Sequence, residues 1–183
     1  MAQKIAFQFD DKLQYQLDAV SSVVRLFKGL PQKVGGIYER AVRRGQQSLT
    51  DPVRNVEITV GTRMLENLRE VQLENNLYAD SDLLPGNNFT VEMETGTGKT
   101  YVYLRTILEL HKEYGFKKFM IVVPSVAIRI GVMKSIEMIR DHFKAIYDID
   151  LLKHSFVYNS GNTRKVSGSF VEAGDLLNQI RTE

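Results

Sequence analysis

With 183 residues, 43% of them hydrophobic, the chain is long enough for one domain with a buried core. Its 24 Lys and Arg against 22 Asp and Glu leave a net charge of +2, so no overall field draws it to nucleic acid or to a membrane, and any basic footprint is local. The lack of cysteine excludes disulfides and thiolate metal sites and points to a cytoplasmic setting; "MAQKIAFQFDDKLQYQ" has no signal-peptide run, and no stretch approaches the roughly 18 apolar residues of a membrane span.

The first predicted element is an amphipathic helix over 12–27, with Leu13, Leu17, Val20, Val24 and Phe27 on one stripe. Asp11 is its expected N-cap, and Gly29 with Pro31 ends it. Residues 31–60 lack an apolar period and place Arg40, Arg43, Arg44 and Arg54 close together, which reads as a partly helical surface excursion. A second helix is predicted over 62–76, with Met64, Leu68 and Val71 inward, followed by a loop in "YADSDLLPGNN". Asn88-Phe89-Thr90 spells a glycosylation sequon, a chance match in a chain without a secretion signal.

From residue 89 the pattern changes. "FTVEM" predicts a short strand and 99–114 a helix, with Leu104, Ile107 and Leu108 inward and Gly115 at its stop. "KFMIVV", 118–123, is a nearly continuous apolar run of the kind found in strands buried on both faces. A further helix over 126–143 puts Val132, Ile136, Ile139 and Phe143 on one side, and "HSFVYN", 154–159, is a candidate third strand. The tail from Val171 to Ile180 fits one short helix. Alternating strands and helices imply an α/β fold with a parallel sheet and crossover helices. The chain divides by content into a helical segment at 1–60 and an α/β unit at 61–183.

The chemistry concentrates in "ETGTGKT", residues 94–100. Gly96 and Gly98 lack a β-carbon, so the backbone around Thr95 and Thr97 can turn with positive φ and let a ligand approach. Successive N–H groups then form an anion nest at the start of a helix, whose unpaired N–H groups and dipole add to it. Lys99 supplies a full charge and Thr100 a hydroxyl able to ligate Mg2+. Together these residues make a cradle for the triphosphate of ATP. The P-loop pattern asks for a further glycine where Met93 stands, which is a departure. His111, His142 and His154 are scattered and read as surface or core histidines, and Ser125 after Pro124 reads as an N-cap.

"METGTGKT", with Met in the first glycine's place, resembles motif I of superfamily-two helicases, and "FMIVVPSVAIRIGVMKSIE" is similar to their motif Ia region. More narrowly, "LQYQLDAVSSVVRLF", "LENLREVQLENN", the run from Asn88 to Arg129 and "HSFVYNS" resemble the restriction subunit of type III restriction-modification enzymes. The resemblance implies a RecA-like P-loop fold, here an incomplete first motor lobe preceded by N-terminal helices. It implies an ATP- and Mg2+-dependent translocase and endonuclease acting on double-stranded DNA with a DNA-modifying (methyltransferase) partner subunit. It places an adenine-reading glutamine at Gln16, whose amide offers one donor and one acceptor to the adenine edge. It places the phosphate-binding lysine and the magnesium threonine of catalysis at Lys99 and Thr100, and DNA contacts at Pro124, Ser125 and Arg129. Many relatives carry an acidic residue after that arginine, where Ile130 stands here.

Such a motor also needs an apolar strand ending in Asp-Glu to position Mg2+ and water. Asp148, Asp150 and Asp175 do not fit it, and no arginine finger or nuclease cluster is recognisable. The chain therefore reads as the N-terminal fragment of a larger enzyme or as a truncated gene product, with the isolated chain inactive. Two alternatives stay open: a P-loop ATPase or nucleotide kinase unrelated to DNA, and a catalytically inactive nucleotide-binding fragment.

Overall fold

Four helices carry the fold: α1 (Gln14–Arg25), α2 (Thr62–Glu74), α3 (Lys99–Tyr114) and α4 (Val126–Tyr147). The computed structural model describes residues 9–30, 61–78 and 88–157, and the backbone of a strand pair, β1 (Gln32–Lys33) and β2 (Glu57–Ile58). The predicted tail helix and Asp175 lie outside the described residues, as do most of the 31–60 excursion and of the loop after α2.

The apolar spacing of α3 decides the layering, because both of its sides are apolar. One side meets α4: Tyr101, Leu104 and Leu108 pack against Ile136, Ile139 and Phe143, with Leu151 closing the cluster. The other side meets α1, where Val20 and Leu26 are buried. Two side-chain bonds fasten α1 to α3 near its two ends. Arg105 Nη1 donates to the Asp11 carbonyl at 2.7 Å, and the Tyr114 hydroxyl to the Val24 carbonyl at 2.9 Å.

α2 leans on α1 through a bidentate Arg25–Glu74 pair and through Asn67. Asn67 is 2% exposed, and its amide nitrogen donates to the carbonyls of Leu26 and Lys28 at 3.0 and 2.8 Å. It holds the turn after α1, whose open carbonyls otherwise lack partners.

Several local expectations are corrected. Leu13, not Asp11, is the N-cap of α1, with no side-chain cap bond; Asp10 closes the preceding turn by accepting from the Lys12 N–H at 2.8 Å. α4 runs one turn past Phe143, to an Asp148 in the left-handed region. Residues 89–93 and 118–123 carry no regular secondary structure and join no ladder among the described residues, and the strand pair that does form is antiparallel. The expected burial of "KFMIVV" fails with the ladder: Met120 and Val122 are 71% and 82% exposed. An apolar run favours extended backbone locally, but burying both its faces needs neighbouring strands. Instead, Val91 and Met120–Val122 border an open apolar groove floored by Ala19 and Val23 of α1 and Val102, Thr106 and Ile107 of α3. Residues 155–157 are likewise outside any ladder, and 158–159 lie outside the described residues.

Candidate functional site

The glycine turn sits where α3 begins. Gly96 (φ 84°) and Gly98 (φ 86°) both occupy the left-handed region, which a side chain rarely adopts. Thr97 Oγ1 donates to the Glu94 carbonyl at 2.7 Å and closes the turn from inside. The first helical bond runs from the Val102 N–H to the Gly98 carbonyl at 3.0 Å. The N–H groups from Gly96 to Tyr101 therefore donate to no acceptor among the described residues. These donors, at the positive end of a four-turn helix, make a nest for an anion.

The remaining loop residues follow from this path. Thr95 and Lys99 are exposed and Thr100 is half-buried. Lys99 makes no ion pair among the described residues. A chain turning without the first glycine of the P-loop pattern still reaches this geometry, with Met93 half-buried on the entering segment.

Gln16 reaches the loop from α1. It is 7% exposed, and its Nε2 donates to the Thr97 carbonyl at 2.9 Å, with a longer approach of 3.4 Å to the Tyr15 hydroxyl. A β-carbon at Gly98 would lie 2.7 Å from that same nitrogen, so the positive φ favours glycine there and a side chain would also displace the Gln16 amide. The spacing of α1 marked an apolar stripe; a polar residue buried beside it carried no periodic signal.

Behind the loop, Tyr101 lies in an aromatic cluster. Its hydroxyl is 2.9 Å from His142 Nε2, and Phe9 stacks near both rings. Burial pushes the His142 imidazole below its usual value, opposed by Asp11 and aided by Arg105. Burial also raises the Tyr101 phenol, which therefore stays protonated and can donate to His142. Neither residue was marked in the sequence as a partner of the other, since they are 41 positions apart.

The second candidate region is the start of α4. Ser125 is its N-cap and accepts from the Ile128 N–H at 3.3 Å; Pro124 is exposed and Arg129 half-buried. No hydrogen bond or ion pair joins this cap to the glycine loop among the described residues. Asp148 and Asp150, set aside as motor carboxylates, have other roles. Asp148 ends α4, and buried Asp150 is held below the usual carboxylate range by its two bonds from Arg140, one of them Nε to Oδ1 at 2.8 Å. No helix among the described residues is long and apolar enough to cross a membrane.

The family model described as "Type III restriction enzyme, res subunit" matches residues 13–167. The chain is 28% identical over 150 residues to the type III restriction-modification enzyme EcoP15I Res subunit of Escherichia coli, covering 79% of this chain and 14% of that protein. It is 27% identical over 175 residues to the EcoPI Res subunit of Escherichia phage P1, covering 90% and 16% respectively. To the StyLTI Res subunit of Salmonella typhimurium it is 43% identical over 83 residues, covering 44% and 8%. The chain thus spans at most 16% of the length of these relatives.

Proposed function

Since the chain belongs to the family of type III restriction enzyme Res subunits, we propose that it is the ATP-binding N-terminal part of an ATP-dependent DNA translocase and restriction endonuclease. The family carries a RecA-like helicase fold. In our reading, 89–93 and 118–123 are strands of its parallel sheet, and 61–183 is an incomplete first lobe preceded by the 1–60 segment. The observation that carries the proposal is the row of unengaged N–H groups from Gly96 to Tyr101, beside Lys99 and at the start of a helix.

The residues present fit ATP with Mg2+. The turn from Thr95 to Thr100 offers donors for phosphate oxygens, and Lys99 adds a charge-assisted contact. The Thr100 hydroxyl is the protein group for the metal, and neutralising charge on the phosphates is the chemistry Mg2+ supplies. Gln16 faces the same loop, which supports its reading as the adenine contact. Pro124, Ser125 and Arg129 at the head of α4 are the proposed contacts to a DNA backbone, with double-stranded DNA and a methyltransferase subunit as partners of the longer protein. The nucleotide-kinase alternative has no observation in its favour, because the family match takes in Gln16 and the α4 region as well as the loop.

Lys99→Ala tests the site. Losing one charge-assisted bond of about 1.5–3 kcal/mol lowers ATP affinity by roughly one to two decades in titration calorimetry. Equal affinity of the two proteins refutes the assignment.

A further inference from the structure

We infer that Gln16 is a positioning residue for the phosphate-binding loop, holding the Thr97–Gly98 peptide in place whether or not a base is bound. The inference rests on the phosphate-site reading above and extends it. Loops with two residues at positive φ gain backbone freedom from their glycines, so a fixed cradle needs an outside restraint. Among the described residues, the Gln16 bond to the Thr97 carbonyl is the one hydrogen bond that ties 95–98 to an element other than α3, whose Val102 N–H donates to the Gly98 carbonyl. The Thr97 hydroxyl bond is internal to the turn.

Three features make Gln16 an effective restraint. Its side chain is buried, so the 2.9 Å bond is shielded from competing water. α1, which presents it, is itself fastened to α3 through Arg105 and Tyr114, so the loop is braced against the helix it precedes. A β-carbon on Gly98 would lie 2.7 Å from Nε2, so the amide occupies the space that a side chain at Gly98 would fill.

This role is compatible with base reading. A carboxamide has two N–H groups and a carbonyl oxygen. With one N–H on Thr97 and the other only loosely held at 3.4 Å by the Tyr15 hydroxyl, one donor and one acceptor can turn to an adenine edge. The same side chain then joins the base and phosphate subsites, so that its loss weakens ligands that have no base at all.

The decisive probe is inorganic tripolyphosphate with Mg2+, titrated calorimetrically into the full 183-residue chain. Gln16→Met keeps the length of the side chain and removes the donor. The expected result is a roughly three- to tenfold loss of tripolyphosphate affinity, the range spanned by one neutral hydrogen bond. An unchanged affinity for tripolyphosphate, with only ATP weakened, overturns the inference and leaves the site assignment intact. If the unsubstituted chain binds neither tripolyphosphate nor ATP, the phosphate site itself fails and the inference falls with it. Gln16→Glu separates positioning from general damage. Its ionised carboxylate cannot donate to the Thr97 carbonyl, whereas its protonated form can. Tripolyphosphate affinity relative to the unsubstituted chain at each pH therefore recovers as pH falls through the glutamate pKa. A ratio that does not move with pH assigns Gln16 a packing role instead.

Discussion

His142 and Asn67 each take on a task that no pattern in their own segment announces. His142 is kept neutral by burial among Phe9, Tyr101 and Phe143, with the Asp11 carboxylate pulling the other way and Arg105 adding to the depression. In the unfolded chain the ring takes up its proton near the ordinary histidine value of 6.5, while in the folded chain it does so only at lower pH. Between these two values the unfolded state holds more protons, so stability rises with pH there. The contribution is complete above the unfolded pKa and is lost as pH falls through and below it. We expect the thermal midpoint to drop between about pH 7.5 and about pH 5 more steeply for the unsubstituted chain than for His142→Phe. Parallel curves would show that His142 does not govern this window. For Asn67, replacement by Ala strands the buried Leu26 carbonyl, and the cost read from a urea melt is about 1–3 kcal/mol. A change inside a few tenths would mean that water replaces the amide.

At the scale of elements, the helices were legible because each combines a clean apolar period with a recognisable end. α3 begins and ends at the predicted residues, with Gly98 and Gly115 both left-handed. α4 starts at the predicted Ser125 cap. Its first turn separates two roles that share the same atoms. As a cap, Ser125 contributes about 1 kcal/mol to helix stability, which Ser125→Ala removes. In the DNA contact proposed for it, Arg129 would contribute about 0.7–0.9 to the magnitude of the slope of log affinity against log salt. We expect Arg129→Ala, made in the longer protein, to flatten that slope by this amount with its melting temperature little changed. An unflattened slope removes Arg129 from the DNA surface. If Ser125→Ala costs stability but leaves DNA affinity unaltered, Ser125 is a cap and nothing more.

For the whole molecule, binding and turnover separate. The proposed phosphate cradle lies in this chain, while of the two described aspartates nearest the motor pattern Asp148 ends α4 through its backbone and the Asp150 carboxylate pairs with Arg140. Cradling phosphate neither orients water nor offsets charge developing on the transferred group, and an arginine finger alone is worth 10³–10⁵ in rate. The isolated chain should therefore bind ATP yet hydrolyse it far more slowly than about one per second. A purified chain that reaches that rate, and loses it with Lys99→Ala, would reveal a catalytic carboxylate among residues not assigned here.

By itself the sequence determined what depends on neighbours along the chain. Helix period, the Ser125 cap, the Gly115 stop and the glycine-lysine-threonine turn are set by local sterics and by backbone groups a few residues apart. Family membership was legible for the same reason, since its motifs are contiguous runs. Tertiary structure decided what joins distant positions. Gln16 meets Thr97 across 81 residues, Tyr101 meets His142 across 41, and Asn67 meets Leu26 across 41. Each is a polar group buried by another element, and burial from afar leaves no period to read. The strand pairing expected of 89–93 and 118–123 belongs to this second class. "FTVEM" and "KFMIVV" specify extended backbone, but a ladder forms only when a partner strand meets their N–H and C=O groups, and that pairing is a property of the assembled fold.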